Sequence, residues 1–501
     1  MYLSHKKPIQ LVYFRNFNKD DHSSLHSCAL VNHLWCQSAI PLLWEDPLDS
    51  KKLDGRNEKH KRYALVNTYI TGLPQPSHKV LIGQKIMLPP VTRSPTFEYA
   101  SYLRKLDLKC FFIAIQSWTE YFNKWAKRTF TGGQIVLVIQ ELLRHLFLSS
   151  PRLLVLKVNV DKIGAIIVDI LQNVPEARNC LTSLKEFTYF AEHPTMEILF
   201  SQISQLTGNI ERFDLSIYGH TEQLINMIKA QKLFKELIIN NRTNSPLGFK
   251  FWVDTDAGSV ISKKASTITY LEIENIFFPF QALSHFTSLV ELNMFYCGSY
   301  DSRDWAPLSD VRLKKLKKIS YKNRHSLYLE SFGRFLGNAG MNLSSITIRC
   351  CTICDPEQSH LLFTSIADNC PNLLHFDGPI GSDNAREFGE MLYACSQIES
   401  LCLHPSNKCC RLVENRIDFN PLLKKITIKQ PWKMRELTII HGWKFSTEVF
   451  ESFLQSRKRI SKKISFYWNE CEIIGNNFVK VCSTYQKAGV LDKYQKLLKY
   501  D

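Results

Sequence analysis

The chain has 501 residues, 45% of them hydrophobic and 22% charged, and 63 Lys and Arg against 47 Asp and Glu leave a formal net charge of +16. This composition excludes wholesale disorder and low-complexity structure, and no apolar run reaches the ~18–20 residues of a membrane span. The 15 cysteines are an odd number spread over a long chain, which favours a reducing compartment. Residues 1–8 lack the apolar region of a secretory signal, so we expect an intracellular protein, cytoplasmic or nuclear.

Residues 1–49 are predicted to form a small, all-α module. Residues 20–47 are compact and apolar-periodic, as expected for packed helices. The most specific motif of the chain lies here, L-V-N-x-x-W-C followed by I-P-x-L-W, and its residues are Leu30, Val31, Asn32, Trp35, Cys36, Ile40, Pro41, Leu43 and Trp44.

This motif resembles the F-box as it occurs in the expanded F-box/leucine-rich-repeat families of fungi. The resemblance implies that the module binds a Skp-type adaptor and, through it, a cullin-RING ubiquitin ligase. The residues that it assigns to adaptor binding are Leu25, Leu30, Val31, Trp35, Ile40, Pro41, Leu43 and Trp44. The Leu-Pro and acidic helix that usually begin an F-box are replaced by residues 7–14. The alternative interpretation is that Trp35 and Trp44 only fill the core of a helical cap.

Residues 50–100 are predicted to connect this module to the rest of the chain. Residues 51–63 are rich in Lys and Arg and are predicted to form an exposed loop. Pro89, Pro90 and Pro95 are typical of an extended connection.

Residues 101–480 carry a recurring pattern, L-x-x-L-x-L, in which another large apolar residue often replaces Leu. The copies recur about every 27 residues, within the ~20–29 residues of a leucine-rich repeat. They begin at Leu103, Leu153, Leu184, Ile210, Phe234, Ile268, Leu289, Leu316, Leu343, Leu373, Ile398, Leu423 and Met434. The long interval after Phe234 predicts an inserted loop around residues 241–251. The interval from Leu423 to Met434 is too short for two full repeats, so one of these copies is either misread or degenerate.

Between the copies, apolar spacing predicts helices, for example over residues 360–369, 385–395 and 447–455, the last capped by Ser446 or Thr447. Strands and helices alternating at this period predict an α/β leucine-rich-repeat solenoid, a horseshoe with parallel strands inside and helices outside. Residues 481–501 are predicted to close the solenoid with a capping helix over residues 489–499.

Asn or Cys eight residues after the first apolar position is typical of these repeats and occurs at Cys297, Cys351 and Asn469. A small polar side chain there can bond backbone groups where the chain leaves the strand. Cys351 and Cys354 form a C-x-x-C, but no second pair at zinc-finger spacing accompanies it, so no metal or other cofactor is expected. Because no nucleotide-binding, metalloprotease or hydrolase motif occurs, we predict that the chain is not an enzyme.

Residues between the buried positions of each strand alternate to the concave face. They form the predicted target-binding surface, which comprises Glu272, Glu274, Glu291, Asn293, Phe295, Lys318, Lys322, Arg349, His404, Lys425 and Lys429. Its mixed charge favours a protein target over nucleic acid, which would need an unbroken basic stripe.

The F-box resemblance implies that the protein is a substrate-recognition subunit of a Skp–cullin–F-box ubiquitin ligase, in which this surface would hold the target. One alternative is a protein-binding scaffold without a link to a ligase. The other is a nucleic-acid-binding solenoid, for which basic clusters at residues 51–62, 312–318 and 457–463 would supply phosphate contacts.

Overall fold

The computed structural model describes residues 22–49, 58–88, 95–126, 129–159, 161–190, 196–217, 222–242, 256–297, 302–323, 328–350, 356–405, 416–429, 433–440, 442–460 and 462–497. The chain divides into two compact units, Met1–Phe234 and Lys235–Asp501. Both alternate parallel strands with helices, as the repeat pattern predicts. No helix in the described ranges is long and apolar enough to cross a membrane.

The described part of the first unit begins with the helices α1 (His22–Ala29), α2 (His33–Leu43), α3 (Glu58–Thr71) and α4 (Gln75–Gly83). Asn32 caps α2, because its side chain accepts a 2.9 Å hydrogen bond from the amide of Trp35. Leu25 and Cys28 of α1 pack with Ala39 of α2. The helical pair therefore has a small core of its own.

Parallel strands follow in the first unit, namely β1 (Lys105–Asp107), β2 (Val155–Val158), β3 (Glu186–Tyr189) and β4 (Arg212–Ile217). The helices between and after them are α5 (Leu108–Ala126), α6 (Gly132–Ser149), α7 (Asp161–Asn173), α8 (Met196–Leu206) and α9 (Glu222–Ala230). The register aligns Leu106, Leu156, Phe187 and Phe213, all buried. Equivalent repeat positions thus stack into one continuous core.

The second unit repeats this arrangement with strands β5 (Glu236–Asn241), β6 (Tyr270–Glu274), β7 (Glu291–Phe295), β8 (Lys318–Asn323), β9 (Ser345–Cys350), β10 (His375–Ile380), β11 (Ser400–Pro405), β12 (Ile417–Asp418), β13 (Glu436–Ile440), β14 (Trp443–Ser446), β15 (Ile464–Asn469), β16 (Glu472–Ile474) and β17 (Leu491–Lys496). Its main sheet is parallel, in the order β5-β6-β7-β8-β9-β10-β11-β13-β15-β17. The three short strands β12, β14 and β16 form a second parallel sheet.

Helices of the second unit are α10 (Ala257–Ser262), α11 (Ser302–Trp305), α12 (Leu329–Ala339), α13 (Pro356–Asn369), α14 (Ala385–Ala394), α15 (Asn420–Lys429), α16 (Thr447–Arg457) and α17 (Phe478–Lys487). The three predicted helices correspond to α13, α14 and α16. Ser446 is the cap of α16, since its hydroxyl accepts a hydrogen bond from the amide of Val449 at 3.2 Å. These parallel strands and intervening helices are those of a leucine-rich-repeat solenoid, which confirms the predicted fold class.

Three segments differ from the sequence-based predictions. Residues 58–63, predicted as loop, belong to α3, where Glu58 pairs with Arg62 one turn later and Val66 and Ile70 are buried. The pattern beginning at Leu423 lies in α15, and only the copy beginning at Met434 forms a strand. The eleven-residue interval from Leu423 to Met434 has room for only one strand and its connections. The copy that begins at Leu423 therefore forms the helix of its repeat.

The third difference lies at the end of the chain. Residues 491–496 form the strand β17 instead of the predicted capping helix, and β17 pairs with β15. The hydrogen bonds offered by the open edge of a sheet outweigh the local helical spacing of this segment. The predicted loop at 241–251 lies largely outside the described residues.

Polar side chains join consecutive turns where the strands end. Cys297 lies with its Sγ 3.0 Å from the carbonyl oxygen of Ile273, and Asn323 donates to the carbonyl of Cys297 at 2.8 Å. Asn275 likewise donates to the carbonyl of Asn241 at 3.0 Å. The prediction of Cys297 as a turn residue is therefore confirmed, whereas Cys351 lies outside the described residues.

Candidate protein-binding surfaces

The N-terminal helical pair presents an apolar surface, formed by Leu30, Val31, Leu34 and Trp35. Leu30 is 74% exposed, Val31 61% and Trp35 37%. Leu25, predicted to bind the adaptor, is instead buried in the core of the pair. The predicted set thus divides into residues that hold the two helices together and residues that face outward.

Leu43 belongs to the first of these groups, whereas Trp44 joins the helical pair to the residues that follow it. Leu43 packs on the core of the helical pair. The Trp44 ring lies 4.2 Å from that of Tyr99 and 5.4 Å from that of Tyr69, centroid to centroid. The next residue, Glu45, accepts backbone hydrogen bonds from Arg104 and Lys105 at the start of β1. These contacts attach the helical pair to α3, to Tyr99 and to the start of β1. Ile40 and Pro41 are half-buried in α2.

A second surface follows the strands of the second unit. Its acidic part lies on β6 and β7, where the register places Asn293 beside Glu272. Glu291 forms an ion pair with Lys318 of β8 at 3.3 Å. Phe295 is half-buried at the end of β7. The structure thus brings together five of the predicted target-binding residues, Glu272, Glu291, Asn293, Phe295 and Lys318.

Lys322 and Arg349 extend this surface on β8 and β9 with positive charge. The Nζ of Lys322 lies 5.9 Å from the ring centroid of Tyr296. Arg349 donates to a single carboxylate oxygen of Asp377 from two nitrogens, at 3.1 and 2.8 Å. Asp377 was not among the predicted residues, although it occupies the outward position of its own repeat, Leu373-x-x-Phe376-x-Gly378.

His404 has a structural contact that the sequence did not reveal. The ladder between β9 and β10 would pair the carbonyl of Ile348 with residue 379, but Pro379 has no N–H. The His404 Nε2 lies 3.0 Å from this carbonyl oxygen and takes the place of the missing donor. Burial lowers the pKa of His404, and the nearby Asp377 carboxylate opposes this shift without reversing it.

The prediction that Lys425 and Lys429 belong to the concave surface is wrong. Both lie on α15, where Lys429 lies with its Nζ 5.1 Å from the ring centroid of Tyr393 of α14. They were assigned to a strand because the L-x-x-L-x-L pattern also fits one face of a short helix.

Within the described ranges, no three His, Cys, Asp or Glu side chains converge to hold a metal ion. Burial raises the pKa of the Cys297, Cys370 and Cys395 thiols to about 12. These thiols are therefore protonated at neutral pH and poor metal ligands or nucleophiles. Cys351 and Cys354 lie outside the described residues.

The parallel strands, the helices between them and the stacked apolar positions define a leucine-rich-repeat fold, preceded in the chain by a helical pair. No protein-family model matches the chain, and no curated protein matches it. Among solved structures, it is similar to the leucine-rich-repeat-containing protein LegL7 from Legionella pneumophila, at 14% identity and a TM-score of 0.34, over 60% of this chain and 86% of that one. It is also similar to a chain of the Rad7 and Elc1 complex in yeast, at 11% identity and a TM-score of 0.36, over 76% of this chain and 87% of that one.

Proposed function

We propose that this protein is the substrate-recognition subunit of a Skp–cullin–F-box type ubiquitin ligase. The observation that carries the proposal is the exposed apolar surface of Leu30, Val31, Leu34 and Trp35, held on a helical pair with its own core. Contiguous exposed apolar side chains mark protein-interaction sites. Leu30, Val31 and Trp35 also carry the F-box resemblance, so sequence and exposure support one adaptor-binding surface.

In this proposal residues 1–49 bind the adaptor, and residues 101–480 hold the target on the strand face of the repeats. Residues 50–100 connect these two parts. The protein performs no chemistry itself. It raises the effective concentration of the target near the ubiquitin-loaded enzyme. The acidic side chains on β6 and β7 favour a protein target, because they would repel the phosphates of a nucleic acid.

The adaptor surface is tested by replacing Leu30, Val31 and Trp35 together with Ala. We expect co-purification with a Skp-type adaptor to be lost, since these side chains would supply the apolar contact. The thermal unfolding midpoint should stay close to that of the unchanged protein, because all three side chains are exposed.

The matched control replaces Val136, Leu148 and Ile198 with Ala, three apolar residues of the same unit that are 44, 47 and 40% exposed. This variant should retain the adaptor. Adaptor binding by the first variant at the yield of the unchanged protein would show that the F-box interpretation is wrong. A chain that captures target proteins without any adaptor would be a repeat scaffold instead.

The target surface is tested by Phe295→Ala combined with Lys322→Glu. We expect capture of the target, measured by affinity purification and mass spectrometry, to be lost, because an aromatic anchor and a charge are removed from the strand face. Adaptor binding should be unchanged. The matched control is Tyr393→Ala with Lys429→Glu, an aromatic and a lysine on the outer helices. Loss of the target in the control alone would place the site on the helices.

A further inference from the structure

A pocket of about 450 Å³ lies in the first unit, beside the contacts of Trp44 that hold the helical pair. Its walls come from the end of α3, from residues 95–100 and from α6. Tyr69 and Tyr99 line it, and these are the two rings that Trp44 contacts. The volume lies within the ~300–1,000 Å³ of sites that hold small molecules.

One part of the pocket is apolar. The Phe97 ring lies 5.8 Å from that of Tyr99, centroid to centroid, and the two rings meet edge to face. Leu148 of α6 also lines the pocket and is 47% exposed, and Pro95 stands beside Gly72, which has no side chain. These groups can take up the hydrocarbon part of a ligand.

The other part is polar and comprises Glu98, His145 and Ser149. The Ser149 hydroxyl lies 3.2 Å from Nδ1 of His145. Burial lowers the pKa of His145, and the nearby Glu98 carboxylate opposes this shift, so the imidazole is neutral at pH 7. Within the described residues, neither Nε2 of His145 nor the Glu98 carboxylate has a hydrogen-bond partner.

The charge of the pocket is opposite to that of the chain. The net charge of the chain is +16, yet no Lys or Arg is among the described residues that line the pocket, and Glu98 is its charged group. A cation is therefore the ion that fits it. One carboxylate and one imidazole are too few donors for a metal ion, and in the described ranges no third such side chain joins them.

We infer that this pocket binds a small organic ammonium compound. The ammonium group donates hydrogen bonds to the Glu98 carboxylate, and the hydrocarbon part packs on Phe97 and Leu148. The neutral His145 imidazole accepts or donates one further hydrogen bond, depending on its tautomer. The inference is independent of the proposed ligase function.

The experiment follows 4-fluorophenethylamine by fluorine NMR while the full chain is added, and the change in line width gives the dissociation constant. This probe joins an aromatic ring to an ammonium group. We expect saturable binding. The neutral 2-(4-fluorophenyl)ethanol should bind about three- to fivefold more weakly, as the loss of one exposed charge contact implies.

Glu98→Gln removes the charge and keeps the side-chain shape, so it should abolish the difference between the two probes. Glu176→Gln is the matched control, because Glu176 is an exposed glutamate of the same unit that does not line the pocket. This variant should keep the difference. Equal affinity of the unchanged protein for the amine and the alcohol would overturn the inference.

Gly72→Leu tests the pocket itself. A Cβ at Gly72 has ordinary contacts, at 3.5 Å to the carbonyl oxygens of Thr68 and Tyr69 and at 3.9 Å to Pro95 Cγ, so the longer side chain would fill the pocket and should abolish binding. Gly83→Leu adds the same side chain where a Cβ meets no atom within 4 Å, and it should bind as the unchanged protein does. The unfolding midpoint shows that each variant is folded.

Unchanged binding by Gly72→Leu would show that the amine binds elsewhere. A short peptide with one lysine that binds more tightly than the amine would assign the pocket to a protein side chain and overturn the assignment to a free small molecule. The measurement needs neither adaptor nor target. Amine binding therefore stands or falls separately from the adaptor experiments.

Discussion

At the scale of single residues, His404 shows how one side chain completes the backbone of the sheet. Its Nε2 bonds to the Ile348 carbonyl, for which Pro379 has no N–H to offer. Protonation would place a charge in this partly buried position, beside Asp377 and its partner Arg349. Burial lowers the folded-state pKa below the ordinary value of 6.5, so the folded protein binds fewer protons than the unfolded chain just below that pH.

His404 therefore contributes stability that is fully present above pH 6.5 and is lost as the pH falls from there towards the lower folded-state pKa. We expect His404→Gln, which keeps an N–H donor but does not titrate, to reduce the loss of stability between about pH 7 and pH 5. The measurement is the urea unfolding midpoint across this range. His375→Gln removes an exposed histidine from β10 and should leave the pH dependence unchanged. An identical acid response in both variants would contradict the role of His404.

The buried thiols give a second prediction at this scale. Burial raises the pKa of Cys297 and Cys395 to about 12, so little thiolate forms at neutral pH. We expect both to resist iodoacetamide in the native protein and to react after unfolding in guanidinium chloride, as read by peptide mass spectrometry. The purified protein should also contain no stoichiometric zinc. One zinc per chain that disappears on replacing Cys351 and Cys354 would show that the C-x-x-C binds metal.

At the scale of elements, the turns after the strands are joined by asparagine and cysteine side chains. Asn323 is buried and bonds both to the Cys297 carbonyl and to the Tyr321 hydroxyl. Asn323→Ala would leave the carbonyl without a donor, and we expect it to lower the free energy of unfolding by about 1–3 kcal/mol.

The control for this prediction is Asn342→Ala. Asn342 makes the same kind of bond, to the Lys314 carbonyl at 2.7 Å, but in an exposed position where water can replace it. Its effect should be much smaller. Equal effects of the two substitutions in urea denaturation would show that burial of the turn does not matter.

At the scale of the whole molecule, terminal repeats need protection, because an uncovered edge strand can pair with other chains. In the first unit, the Glu45 carbonyl that follows α2 accepts from the amides of Arg104 and of Lys105, the first residue of β1. In the second unit, β17 lies last in the order of strands and carries Lys493 and Lys496. Lysines on an edge strand discourage pairing with other chains.

A chain truncated after Gly489 should therefore aggregate, because the edge of β15, with Phe466 and Trp468, loses its partner strand. Size-exclusion chromatography with light scattering reads this out. Truncation after Leu497 keeps β17 and is the matched control, which should elute like the unchanged protein. A monomeric chain lacking β17 would show that this strand is not needed as a cap.

The sequence by itself determined the repeat period, the alternation of strand and helix and the stacked apolar positions. These features follow from local spacing, which sets which side of each element is apolar. It also indicated the turn role of Cys297. The sequence pattern missed Asn275 and Asn323, which lie seven residues after the first apolar position instead of eight. The backbone path of each turn decides which of these two positions bonds to the preceding turn.

Only the tertiary structure decided whether the ambiguous segments form strands or helices, and which side chains pair across strands. The residues after Leu423 fit both a strand and a helix, and Leu491–Lys496 became a strand because β15 offered it an open edge. Arg349 meets Asp377 at a distance of 28 residues in sequence. Such contacts depend on the register between repeats, and this register is a property of the assembled stack that no single repeat encodes.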